Sequence, residues 1–271
     1  SEMCIRDRCD TIKENKHWMS TENRMLAVNS GTSGELAKDV FFAYRGYRMN
    51  YYAVTAMLAR VYCWAGEYGN AYKEAKEVVD ATYSTGSTST ASCFNFSNSL
   101  TTNRKDYNSI IMTFFKSTCY EDYLPYMTKG NDVVLVVNTT NLFGDEAGAD
   151  DRNLDLFGDW DGGDIKYSFK YDIKEGTSGT DMIPAIRLSE MYYIMGEYFA
   201  YKDEFSKAGE MLDKVRYARG ISTTNLASSI GSLEVFHTHL IKEMRREFVG
   251  EGQMFFQYKR LDQKPKDNVV F

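Results

Sequence analysis

The chain has 271 residues, 43% of them hydrophobic and 14% aromatic, enough to bury one substantial core or two modest ones. A net charge of −6 argues against nucleic acid or an anionic membrane surface as a partner. Five cysteines (Cys4, Cys9, Cys63, Cys93 and Cys119) contain no C-x-x-C pair and indicate neither a disulfide framework nor a zinc site, and the longest clean apolar run, Val133–Val137, is too short to cross a bilayer.

Residues 1–8, "SEMCIRDR", hold no apolar stretch of the signal-peptide kind. They read as non-native read-through and are set aside from the fold, with the expectation that the natural chain begins further upstream; residues 9–271 then form a single domain fragment. Residues 47–82 read as a helix hairpin. Met49, Ala53, Ala56, Met57, Val61 and Trp64 recur at spacings of three and four, "GEYGN" breaks the pattern, and Ala71, Ala75, Val78 and Val79 resume it.

Residues 86–182 read as a loop-and-strand excursion. It opens on a Ser-, Thr- and Asn-rich loop, 86–104, and holds short apolar runs of strand character at Ile110–Phe115 and Val133–Val137. "IKYSFKYDI" at 165–173 alternates strictly, with Ile165, Tyr167, Phe169, Tyr171 and Ile173 on one face and Lys166, Ser168, Lys170 and Asp172 on the other. That is the pattern of a half-buried antiparallel strand. Between these runs lies the segment 139–164, with eight acids against Arg152 alone; it carries −7, and the rest of the chain sums to +1.

Residues 184–260 return to helix. Pro184 suits a first helical turn, where its missing N–H costs nothing. Leu188, Met191, Tyr192, Met195 and Phe199 form one apolar stripe; Ala208, Met211, Leu212 and Val215 form the next; Phe236, Leu240, Met244 and Phe248 mark a helix over 233–248, ended by Gly250 and Gly252. The turns of the two helix hairpins share one grammar: Gly66 or Asp203, an acid (Glu67, Glu204), an aromatic ring (Tyr68, Phe205), two residues, then Ala71 or Ala208. This is the device of a tetratricopeptide-like unit. The predicted fold class is mostly α: tetratricopeptide-like helix hairpins, of the α-α superhelix type, with an inserted loop-rich region containing short β-strands.

The segments "PAIRLSEMYYIMGEYFAYKDEFSKAGEMLDKVRYARG" and "IKEMRREFVGEGQMFFQYKRL" resemble the C-terminal part of SusD/RagB-type proteins, surface-exposed outer-membrane lipoproteins of Bacteroidetes. "RMNYYAVTAMLARVYCWAGEYGNAYKEAKEVV" resembles the family's mid-chain helix hairpin, and "DDRN" at 150–153 its D-x-R element. The resemblance implies a scaffold that captures glycans, or in some members peptides, without chemistry of its own. It also implies a SusC-like TonB-dependent transporter as partner, and a location at the outer membrane through a lipidated cysteine outside this chain.

Two local chemistries stand out within the acidic segment. Phe157 and Trp160 offer ring faces for the C–H side of a sugar, with Asp159 and Asp161 beside them to take hydroxyls; Tyr120 and Tyr123 in "YEDYLPY" extend the candidate set. The alternative at Trp160 is an anchor holding the loop against the helices, and the tyrosines carry the same two readings. Asp159, Asp161 and Asp164 also supply hard oxygens for calcium, although no Glu completes an EF-hand register, and no cofactor is otherwise expected.

Glu243 and Glu247 lie one helical turn apart, but arginines beside them make structural pairing the better reading than an acid pair for glycoside hydrolysis. His237 and His239 fall on different helix faces, and no G-x-S-x-G, H-E-x-x-H, G-x-G-x-x-G or P-loop string occurs. The expected function is non-catalytic glycan binding by stacking and hydrogen bonding, only weakly dependent on salt. A peptide-docking tetratricopeptide adaptor is the alternative, and a glycoside hydrolase a more remote one.

Overall fold

The computed structural model describes Met19, Arg24, residues 45–172 and residues 182–262. Residues 1–8, and Ile173 of the alternating strand, lie outside the described residues. The chain is mostly α, with small sheets, and divides into two compact units. The first holds the described residues through Phe96, with 107–115 and 184–194; the second holds 97–106, 116–183 and 195 onward.

In the first unit, α1 (Tyr51–Trp64) starts where the Asn50 side chain accepts the Ala53 N–H at 3.1 Å, an N-cap that satisfies one of the helix's orphan donors. The buried face is Tyr52, Ala56, Ala59 and Cys63, so the stripe read from Met49, Val61 and Trp64 is corrected: those three are exposed. Both faces of α1 carry apolar residues, and periodicity alone does not choose between them. Helix α2 (Tyr68–Val79) packs back on α1 through Ala71, Ala75 and Val78, all fully buried; two alanines let the axes approach closely.

Two small pairings follow, β1 (Thr82–Ser84) antiparallel with β2 (Thr90–Ser92), and β3 (Ile110–Phe115) with β7 (Met182–Arg187). Pro184 therefore stands in a strand, and the helix begins only at Leu188. In a two-stranded sheet both strands are edges, where a missing N–H is tolerated. Arg60 ties α1 to this region, donating to both Glu190 oxygens at 2.6 Å and to the Ala185 carbonyl at 2.8 Å.

The second unit contains α3 (Cys119–Met127), β4 (Val136–Asn138), α4 (Thr139–Phe143), α5 (Asp151–Leu156), β5 (Phe157–Asp159) and β6 (Ile165–Ser168). After the end of α6 (Leu188–Ala200) come α7 (Phe205–Ala218), α8 (Leu233–Glu247) and α9 (Met254–Arg260). The α6–α7 turn repeats the α1–α2 turn in detail. Gly66 and Asp203 are both left-handed (φ 77° and 58°), and Glu67 and Glu204 share φ near −85° with ψ of 59°. Each glutamate N–H reaches back 2.9 Å to a carbonyl five residues earlier, Tyr62 or Phe199. Ala71 and Ala208 are equally buried. The shared grammar is thus one turn used twice.

The four apolar positions of α8, Phe236, Leu240, Met244 and Phe248, are buried as their period predicts. Its charged face is buried as well. Arg152 of the D-x-R element donates to both Asp150 oxygens (2.9 and 2.7 Å), to Glu243 at 3.0 Å and to Glu247 at 3.2 Å. Arg219 bonds Glu247 and Asp106; Arg246 bonds Glu243, Glu146 and the carbonyls of Leu142 and Phe143. Arg216 joins Glu146 to Asp213.

Burial alone would raise the Glu146 carboxyl, but Arg246 and Arg216 hold it down at about 2, against an ordinary 4.5. Its contribution to stability is therefore complete above pH 4.5 and lost as the pH falls toward 2. A Glu146→Gln variant should lose stability less steeply across that window in acid unfolding followed by circular dichroism. An unchanged slope would remove Glu146 from the acid response.

Candidate functional site

The hairpin β5–β6 and the strand β4 make one antiparallel sheet in the order β4-β6-β5. Its register sets Val136 opposite Tyr167 and Gly158 opposite Tyr167, so these three share a face. Phe157, paired with Ser168, belongs to the other face. That other face turns inward: Phe157 is buried among Leu100, Leu142, Phe143 and Leu156, its ring 5.8 Å from that of Phe143.

Lys170 and Ser168 are buried too. The Lys170 ammonium reaches the Glu247 carbonyl at 3.0 Å and the Glu251 carboxylate at 2.6 Å, which satisfies its charge inside the unit. The strand read over 165–173 is corrected to Ile165–Ser168, with 169–172 running on outside it, and over 167–170 burial alternates opposite to hydrophobicity. The aromatic face is the partly exposed one.

On that face the rings form a continuous strip. Trp160 meets Tyr167 edge-on at 6.5 Å, and Tyr167 meets Phe169 at 6.0 Å. The Arg104 guanidinium covers Phe169 at 4.6 Å. Gly158 makes the seat for Tyr167, since a Cβ there would lie 2.6 Å from the phenol ring. Next along the face, Tyr171 is buried and stacked on Tyr123, with centroids 4.4 Å apart and planes 10° from parallel.

Tyr123 in turn lines an open cleft of about 510 Å³ together with Tyr126, Asn138, Asn141, Arg245 and Phe255. Tyr126 is 49% exposed and Phe255 57%. Burial, reinforced by nearby Cys119, pushes the Tyr123 phenol above its ordinary value, so it remains a neutral donor. The Asn138 Oδ1 caps α4 by accepting the Asn141 N–H at 2.8 Å, an arrangement that leaves its amide hydrogens as donors.

Of the residues singled out in the sequence, Trp160 lies on the strip and Tyr123 at the cleft, whereas Phe157 is in the core and Tyr120 is half-buried on α3 outside the cleft lining. Asp159 and Asp161 close the hairpin turn. Asp159 accepts the Gly162 N–H at 2.9 Å and Asp161 the Gly163 N–H at 3.0 Å, while Gly162 takes φ of 85°. Asp164 accepts the Thr140 hydroxyl at 2.6 Å. Among the described residues no three His, Cys, Asp or Glu side chains gather in the way that holds a metal ion. Glu243 and Glu247 are enclosed by Arg152, Arg219 and Arg246, as the structural reading of that segment requires.

The SusD family profile matches residues 39–269. The chain belongs to the SusD family. Solved structures similar to this SusD-family chain include a SusD superfamily protein of Bacteroides thetaiotaomicron, 25% identical, with 79% of this chain and 50% of that one covered and a TM-score of 0.58. A SusD-like carbohydrate binding protein of Bacteroides vulgatus is 18% identical over 92% of this chain and 52% of its own, at a TM-score of 0.56. A SusD superfamily protein of Bacteroides fragilis reaches a TM-score of 0.61 at 18% identity, covering 84% of this chain and 52% of its own. None of the curated proteins matches the chain. The SusD-family chain spans about half the length of these solved relatives. Among its described residues, no helix is long and apolar enough to cross a membrane.

Proposed function

We propose that this SusD-family chain binds a glycan, without catalysis, along the aromatic strip and cleft of its second unit. The carrying observation is the inverted strand: Tyr167 and Phe169 face outward beside Trp160 while Lys170 and Ser168 are turned into the core. A segment that buries Ser168 and Lys170 and leaves the rings of Trp160, Tyr167 and Phe169 half-exposed departs from what folding alone favours, and a partly exposed aromatic surface of this kind marks a recognition site. Sugar rings stack their C–H faces on such side chains; the amides of Asn138 and Asn141 and the Tyr123 phenol supply partners for hydroxyls. The relative in Bacteroides vulgatus named as a carbohydrate binding protein supports the same reading.

In the whole protein this function serves uptake. The bound oligosaccharide passes to a SusC-like TonB-dependent transporter at the outer membrane, where a lipid anchor holds the protein on the cell surface. Isothermal titration against an oligosaccharide panel tests the binding step. Trp160→Ala and Tyr167→Ala should each weaken the best ligand by roughly tenfold, the worth of one stacked ring. Chelator should change nothing, because stacking and hydroxyl contacts hold the ligand in this reading. Unaltered affinity in both folded variants would refute the strip as the site.

A further inference from the structure

The cleft adjoins the aromatic strip but differs from it in chemistry. The two meet at a cross-strand pair: Val136, which lines the cleft, stands opposite Tyr167 of the strip and on the same face. Side chains paired in this way leave the sheet about 5 Å apart. The Tyr171 ring, next along that face, stacks on Tyr123, which also lines the cleft. On the open strip a stacked sugar keeps its far side and most of its hydroxyls in water. Inside the cleft, each hydroxyl withdrawn from water needs a hydrogen-bond partner. The described wall offers few, because much of it is carbon: Leu135, Val136, Val137, Val249, Met254 and Phe255, none of them fully buried. Hydrocarbon left within reach in a cleft of about 510 Å³ favours an apolar guest.

We infer that the cleft takes an apolar acyl group ester-linked to the glycan, whose sugar part lies on the strip. This rests on the glycan reading above and narrows it to acylated glycans. The acyl carbons cover Val136, Met254 and Phe255. The ester carbonyl accepts from the Asn138 amide, whose own oxygen is engaged in capping α4 and whose hydrogens are therefore the groups on offer. Continuity with the strip selects this guest over a separate apolar molecule. An acyl group carried by a stacked sugar enters the cleft as the second half of one ligand, at a high effective concentration set by the short ester linkage.

The experiment titrates each member of the oligosaccharide panel in three forms by calorimetry: the free sugar, its butyryl ester and its hydroxycinnamoyl ester. The expected result is that an ester binds about tenfold more tightly than its parent, with a more negative heat-capacity change, the mark of apolar surface withdrawn from water. Val136→Thr and Met254→Gln, which make the wall polar at nearly unchanged shape, should each remove most of that advantage. Trp160→Ala should weaken ester and parent alike. Circular dichroism of the variants establishes that they fold. A stronger gain from the hydroxycinnamoyl group identifies a flat aromatic acyl group, and a stronger gain from the butyryl group a flexible alkyl one; either supports the inference.

Esters that bind no more tightly than their parents overturn the inference and leave glycan binding standing. So does an ester advantage that survives Val136→Thr and Met254→Gln combined, because the acyl group then lies outside the cleft. A short apolar peptide that binds where no ester gains makes the cleft a peptide site and overturns it as well. Failure of folded protein to bind any sugar of the panel, free or esterified, overturns both readings.

Discussion

An Arg152→Met variant is expected to lose about 3–5 kcal/mol of unfolding free energy, the usual result of removing one partner from a buried ion pair. The Arg152 side chain is 2% exposed and lies against Asp150, Glu243 and Glu247. Burial works against its charge, but Asp150 and Glu243 overcome that effect and hold the guanidinium well above its ordinary pKa. Without it, Glu247 keeps Arg219 and Glu243 keeps Arg246. Asp150, fully buried, keeps only the more distant Arg246 at 3.7 Å and the backbone N–H of residue 152 at 3.0 Å.

Lysine would be a poor replacement, because one ammonium cannot make the four bonds that the guanidinium fork makes to three carboxylates. A loss of this size is about a fifth or more of the stability of a typical domain, about 5–15 kcal/mol. Urea unfolding followed by circular dichroism measures it. Adding Asp150→Asn to Arg152→Met should restore part of the loss, because the neutral amide no longer needs a counter-charge. A loss below about 1 kcal/mol in the single variant would mean that the network behaves as a solvated surface pair.

The helix hairpins were legible in the sequence because their signals are local. A small residue three positions after the acid–aromatic pair, on a helical period, specifies a turn and a packing face within a dozen residues. The structure repeats that turn with the same dihedral angles at Glu67 and Glu204. The strand read over 165–173 was legible as a strand, but neither its end at Ser168 nor which face is inside was legible. Alternation reports two faces, whereas the choice between them was made by Glu247 and Glu251, some eighty residues away, which give the Lys170 ammonium its partners.

The same non-local effect divides the acidic segment. Glu146 and Asp150 are drawn inward by arginines of α8 and neighbouring helices, whereas Asp159 and Asp161 stay exposed and close a turn. Phe157 and Trp160 are three residues apart and looked alike in sequence. One entered the core because its register opposes Ser168, and the other sits beyond the strand end, against Tyr167. Arg245 carried no signal by itself: within "MRREF" it is separated from Arg246 only by the direction in which each leaves the helix.

Gly209 provides the second large effect, and two principles disagree about its sign. It lies inside α7, where alanine is favoured over glycine by about 1 kcal/mol of helix propensity. By propensity, then, Gly209→Ala should stabilise. But a Cβ at this position would lie 2.6 Å from the backbone N and Cα of Ala227 and from the carbonyl carbon of Leu226. The contact is with main chain, which cannot rotate away as a side chain would.

Nor can the turn at Leu226–Ser228 retreat freely, because Asp213 on α7 accepts its N–H groups, from Leu226 at 2.8 Å and from Ala227 at 3.2 Å. Moving that turn would also disturb Arg216, which bonds Asp213 and the carbonyl of Thr224. Overpacking of this kind costs about 1–3 kcal/mol or more. A rigid backbone contact belongs at the upper end, so the net expectation is a loss of about 2 kcal/mol in urea unfolding.

Gly69 is the internal control. It sits in the first turn of α2 with nothing within 4 Å of a built Cβ, so Gly69→Ala should stabilise by up to about 1 kcal/mol. Opposite signs for the same substitution would show that close approach of α7 to the Leu226 turn, rather than helix propensity, selects glycine at 209. Stabilisation in both would show that the turn gives way.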